Sequence, residues 1–151
     1  MLQAWSAYKE NTLILGIGTD LASIERVAGV LDQHGARFIA RCFGAEEVEK
    51  VEKQATGSVH LRAAGYAKRW AAKEACAKAL GLGISNDVYL KDIIVINSPD
   101  GQPRLTLSGG AKDRLTAITP QGMTSEVYVS LTDEASMALA FVVISAEVNK
   151  K

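Results

Sequence analysis

The segment YAKRWAAKEACAKALGLG (66–83) limits the fold more than any other part of the chain. Nearly every position favours a helix, in which successive residues turn by about 100°. On that wheel Ala71, Ala72, Ala75, Cys76, Ala79 and Leu82 share one half. A face built almost only of small side chains can approach a sheet closely. Tyr66, Arg69, Trp70, Lys73, Glu74, Ala77, Lys78 and Gly81 share the other half, where charges of both signs recur. Two readings of that half stand side by side. A solvated helix would carry the charges, with a Glu74–Lys78 pair contributing about 0.2–0.5 kcal/mol. Alternatively, Arg69, Lys73 and Lys78 neutralise phosphates while Glu74 holds a divalent cation.

The stretch TLILGIGTD (12–20) begins as a buried strand and is expected to break at Gly16 and Gly18. Glycines after a strand, followed by an acid, suit a backbone that a ligand approaches closely. On spacing alone Asp20 reads better as a helix-entry cap, and the full GxGxxG fingerprint is missing because residue 21 is Leu. Ser23 caps a predicted helix to about His34, with Ile24, Val27, Val30 and Leu31 on one face and Gly35 as the stop. Residues 36–43 add a short helical turn. Residues 45–54 form a charged amphipathic helix with only Val48 and Val51 facing inward, and 55–65 are read as a loop.

Further on, 91–109 reads as two strands around Pro99, Asp100 and Gly101, 111–118 as a short helix, and 125–148 as two strands around TDEAS. Residues 1–11 show no period and are read as an N-terminal extension before one domain over 12–148. A first strand, several helices and a β-rich second half predict an α+β domain.

Composition narrows the function. Seventeen basic and seventeen acidic residues cancel, so no global field gathers nucleic acid or an anionic membrane surface. Any anion site must be local. Apolar runs fall short of the ~18 residues a membrane span needs. The start of the chain lacks the basic and apolar regions of a signal peptide. Cys42 and Cys76 read as reduced, inert thiols, and His34 and His60 stand apart from any ligand spacing. These features predict a soluble, cytoplasmic protein.

Taken together and in order, GIGTDLASIERV, ARFIARCF with the acidic helix after it, RWAAKEACAKALGLG, DGQPRL and VYVSLTDEASMALAFVVI resemble the holo-acyl-carrier-protein synthase family. These are the small 4′-phosphopantetheinyl transferases of bacterial fatty-acid synthesis. The resemblance covers roughly residues 13 to 146. It implies an antiparallel sheet packed with helices, assembled as a homotrimer whose centre is built by the second-half strands. The implied reaction moves phosphopantetheine from coenzyme A to a serine of acyl carrier protein, with Mg²⁺, and leaves adenosine 3′,5′-bisphosphate.

By the same resemblance Asp20 and Glu74 ligate the metal, and Lys78 contacts phosphate with Lys73 adding charge. One or two carboxylates with waters and phosphates suit Mg²⁺. Arg69 corresponds to an arginine on the 3′-phosphate side, and Ala77 and Gly81 to small residues against the nucleotide. Gly101 and Pro103 match a turn flanking the adenosine, although any hairpin would use them too. Glu74 is also a candidate in the proton relay from the serine. Many relatives carry Ser-His where this chain has Thr132-Asp133. Asp133 therefore contacts the coenzyme or a metal-bound water, or TDEAS is only a turn. Arg26, Arg37 and Arg41 match basic positions that dock the acidic carrier protein, against the simpler reading of a solvated face.

Overall fold

The computed structural model describes residues 12–84 and 87–149, so the predicted extension over 1–11 lies outside the described residues. Strand β1 (Thr12–Ser23) runs directly into helix α1 (Ile24–Cys42), followed by α2 (Ala45–Ala55) and α3 (Val59–Ala79). A 3₁₀ turn (Leu90–Asp92) leads to β2 (Ile93–Asn97) and β3 (Pro103–Leu107). Then come α4 (Gly109–Ile118), β4 (Met123–Glu134) and β5 (Met137–Val148). Strands β1, β5 and β4 form an antiparallel sheet in that order, and β2 and β3 pair as a separate antiparallel ribbon. The predicted α+β class and the helix-covered antiparallel sheet are both observed.

Helix α3 lies across one face of the three-stranded sheet, and the pairing shows which residues share that face. Gly18 pairs with Val142, which pairs with Val129; Asp20 pairs with Ala140 and it with Leu131; Ala22 pairs with Ala138 and it with Asp133. Alternation puts the intervening rows outside. Ala138, Ala140, Val142, Ile144 and Ala146 are wholly buried under the helix. On the opposite face Ile17, Leu21, Tyr128 and Phe141 stay exposed.

Contact between α3 and β1 is backbone to backbone. A Cβ on Gly18 would stand 1.9 Å from the Ala75 carbonyl oxygen, and one on Gly16 would stand 2.0 Å from that of Ala79. The two glycines therefore admit a helix, and the strand that they were expected to break continues to Ser23 with a register shift between Ile14 and Gly16. Ala71, Ala72, Ala75 and Cys76 are fully enclosed at this contact. Small residues on both sides are what let the two backbones meet.

Three other expectations are corrected. Residues 59–65 belong to α3, because Ser58 caps its start by accepting a hydrogen bond from the Leu61 amide at 3.2 Å. Val59 and Leu61 point outward in that first turn, so no apolar period announced it. Gly35 does not end α1; the helix bends at His34 (φ −138°, ψ 22°) and continues to Cys42. In α2 the inward residues include Glu47, which has no exposed surface. Ser23 does cap α1, accepting from the Arg26 amide at 3.2 Å.

Candidate active site

Between Arg69 and Leu80, only Trp70, Glu74 and Lys78 keep appreciable surface. They lie at intervals of four, one above another on α3. The working half of the helix is thus a single strip, narrower than the wheel implied. Lys78 reaches across to β1 rather than back to Glu74. Its ammonium donates to Asp20 Oδ1 at 2.7 Å and to the Thr19 carbonyl at 2.9 Å. Half of the Lys78 side chain is exposed against 18% for Asp20, so the pair sits at the floor of an open site.

Glu74 faces the same spot. Its carboxyl is held above the ordinary value of 4.5, first by burial and then by the Asp20 carboxylate, while the Lys78 ammonium pulls it back. Two carboxylates 54 positions apart in sequence are thus near enough to influence one another, and the lysine ammonium is bonded to Asp20 while also acting on Glu74. The close contact of Gly16 and Gly18 with α3 produces this meeting, since it seats Asp20 beside the turn that carries Glu74.

An apolar cleft of ≈370 Å³ adjoins the pair, lined by Leu21, Ala22, Ser23, Arg26, Val27, Val30, Phe38 and Trp70. Phe38 lies against Trp70 with ring centroids 5.6 Å apart. The sequence reading missed Phe38 as part of this wall. The one signal for it was its place beside Arg37 in the segment after Gly35. Arg26, Arg37 and Arg41 are all exposed on α1, and Arg26 forms part of the cleft rim.

The other predicted site residues are buried or held by partners of their own. Lys73 is fully buried; its ammonium donates to Glu47 Oε2 at 2.8 Å, to the Leu90 carbonyl at 3.1 Å and to the Ile93 carbonyl. With three donors and three acceptors it has nothing left for a phosphate. Burial pushes this ammonium down, against the pull of Glu47. Ala77 has no accessible surface. Gly81 takes the left-handed conformation (φ +81°) that ends α3, its amide donating to the Lys78 carbonyl at 2.9 Å.

Gly101 (φ +88°) and Pro103 are explained by the β2–β3 hairpin, where the Gly101 amide donates to the Ser98 carbonyl at 2.8 Å. Asp133 is on β4, two strands away from Asp20, and is paired with Lys68 at 2.7 Å. It does not join the carboxylate pair within one chain. Arg69 is 5% exposed; Nη1 donates to the Gly65 carbonyl at 3.2 Å and Nε is buried with no acceptor. Both thiols are buried, and burial pushes Cys76 up to about 12.

Residues 16–140 match the 4′-phosphopantetheinyl transferase superfamily. The chain belongs to that superfamily. It is 54% identical over 134 residues to a holo-[acyl-carrier-protein] synthase of Rhodopseudomonas palustris (strain TIE-1), which spans 89% of this chain and 91% of the relative. The crystal structure of the holo-[acyl-carrier-protein] synthase of Neisseria meningitidis has a similar fold, with a TM-score of 0.71 and 34% identity over 87% of this chain and 98% of that one. The Helicobacter pylori synthase in complex with coenzyme A is similar as well, with a TM-score of 0.69 and 27% identity over 85% and 98% of the two chains.

In this phosphopantetheinyl transferase the donor set at Asp20 and Glu74 is all hard oxygen. Magnesium takes one or two carboxylates and completes its octahedron with waters and phosphate oxygens. The seat of the Lys78 ammonium on Asp20 shows that the position accepts positive charge. Asp20 and Glu74 therefore fit such an ion.

Proposed function

We propose that the chain is a holo-[acyl-carrier-protein] synthase, transferring 4′-phosphopantetheine from coenzyme A to a serine of apo acyl carrier protein for fatty-acid biosynthesis, in a Mg²⁺-dependent reaction. The observation that carries the reading is the placement of Glu74 near Asp20, whose carboxylate is paired with Lys78, within a chain of this superfamily. The 54% identical relative and the fold shared with a coenzyme A-bound synthase support it.

In the reaction the serine oxygen forms a bond to the pantetheine-bearing phosphorus. The bridging P–O bond breaks, and the electron pair leaves with adenosine 3′,5′-bisphosphate. A Mg²⁺ held by Asp20 and Glu74 would neutralise charge developing on those phosphate oxygens. Lys78, with half of its side chain exposed, would move from Asp20 to a phosphate and contribute a charge-assisted bond. Glu74, its carboxyl raised above the ordinary range, is a better proton acceptor than a normal carboxylate and so suits the relay from the serine. The buried Arg69 Nε, which lacks an acceptor, supports a phosphate contact there, since an unmet buried donor costs about 1–3 kcal/mol.

The arginines Arg26, Arg37 and Arg41 are all exposed on α1, with Arg26 lining the cleft beside Trp70, and suit an acidic carrier protein. The homotrimer is supported by the uncovered sheet face of Ile17, Leu21, Tyr128 and Phe141, which a second and third copy would bury. Among the described residues no helix is long and apolar enough to cross a membrane, in keeping with a cytoplasmic site of action. Mass spectrometry of apo acyl carrier protein incubated with the chain, coenzyme A and Mg²⁺ tests the proposal. Addition of one phosphopantetheine, lost when the metal is chelated, is expected; an unmodified carrier protein would overturn it.

A further inference from the structure

Helix α3 has an unusual problem of registry. Its face toward β1 is made of Ala71, Ala72, Ala75, Cys76 and Ala79, against Gly16 and Gly18. Helices normally lock by fitting ridges of large side chains into grooves. A nearly smooth face lacks such ridges, so it permits close approach without selecting one rotation or one axial position. Yet a shift of one residue would carry Glu74 through about 100° and away from Asp20.

The opposite side of the same turn holds the only fully buried ion pair among the described residues. Lys73 and Glu47 both have no exposed surface. Glu47 Oε2 accepts from Lys73 at 2.8 Å and from the Gly44 amide at 2.8 Å, and Oε1 accepts from the Val95 amide at 3.1 Å. The ammonium also donates to the Leu90 and Ile93 carbonyls and lies 5.4 Å from the centre of the Phe43 ring. One side-chain pair thus ties α3 to the start of α2, to the 3₁₀ turn and to β2.

Buried ion pairs are weak sources of stability, and their best-attested use is to select one registry over its neighbours. Resting on the metal-dependent transferase reading above, we propose that the Glu47–Lys73 pair is a positioning device that locks the rotation of α3 so that Glu74 faces Asp20. Lys73, next in sequence to Glu74, acts through the helix and touches neither metal nor coenzyme.

The test replaces the pair by apolar residues of similar length, Glu47→Leu with Lys73→Met. It measures thermal melting, Mn²⁺ binding by paramagnetic resonance, and the Mg²⁺ dependence of transfer. The expected result is cooperative melting within a few degrees of wild type, at least tenfold weaker Mn²⁺ binding, and turnover recovered by excess Mg²⁺. Wild-type Mn²⁺ affinity in a normally melting variant would overturn the proposal. Should the double variant not fold, Lys73→Arg takes its place, because a planar fork cannot reproduce three contacts made by a compact ammonium; the same two outcomes decide. If neither variant melts cooperatively, the pair is a folding requirement and the positioning role is refuted. A wild-type chain that binds no Mn²⁺ defeats the metal reading itself, whereas equal binding by wild type and variant defeats only the positioning role.

Discussion

Gly18→Ala perturbs the contact on which the candidate site depends. The added methyl would lie 1.9 Å from the Ala75 carbonyl oxygen and 2.8 Å from the Ala79 nitrogen, both backbone atoms of α3. Carbon and oxygen ordinarily meet at about 3.3 Å or more, so the helix must retreat by about 1.4 Å. Overpacking of this kind destabilises by about 1–3 kcal/mol, and for a domain of this size each kcal/mol lowers the melting temperature by about 2–4 °C. Activity should suffer more than stability, because α3 carries Glu74 and Lys78 while β1 carries Asp20. A misplacement of about 1 Å in a catalytic constellation can cost about a hundredfold in rate. The assay pairs circular-dichroism melting with phosphopantetheine transfer followed by mass spectrometry. Gly29→Ala is the control: a Cβ there meets nothing within 4 Å, so it should leave the protein as stable or raise stability by about 0.5–1 kcal/mol. Wild-type melting and wild-type turnover in Gly18→Ala would refute the close-contact account of the site.

Three further outcomes are expected. Glu74→Gln should abolish metal-dependent transfer and change the pH dependence of stability. The raised carboxyl of Glu74 contributes stability that is present below about 4.5 and lost as pH rises through its folded value. Metal-free wild type should therefore lose melting temperature over that window relative to Glu74→Gln, and parallel pH profiles would contradict the shift. Lys78→Ala should raise the coenzyme A KM by about tenfold or more, since a hydrogen bond to a charged group contributes about 1.5–3 kcal/mol; an unchanged KM removes Lys78 from the phosphate site. Arg26→Glu should slow capture of acyl carrier protein chiefly at low salt, as expected for steering charges, and an association rate equal to wild type at every salt concentration would exclude α1 as the docking face.

Much of the site was legible because its parts are local. The spacing of Trp70, Glu74 and Lys78 puts them on one strip of any helix, whereas Asp20, expected at a strand's end, lies inside β1, which runs on to Ser23. Lys73 was misread for a physical reason. A helical wheel ranks residues by angle, and angle separates wet from dry only when a helix is covered on one side. Helix α3 is covered by β1 and the sheet on one side and by α2, β2 and the 3₁₀ turn on another, so a lysine at an apparently outward angle meets Glu47 instead of water. The start of α3 was missed for the converse reason, because Val59 and Leu61 break the apolar period by pointing outward.

The order of residues alone determined that one helix would be small on one face and charged on another, that Ser23 would start a helix, and that two late hairpins would build most of the β structure. These follow from local propensity and from which side chains a backbone can tolerate. Which charges would meet was decided only by packing. Asp20 reaches Lys78 and comes near Glu74 because two glycines let α3 press on β1, and Lys73 leaves the site because α2 delivers Glu47 beneath it. An ion pair depends on distances in space, and those exist only once the helices have been laid against the sheet.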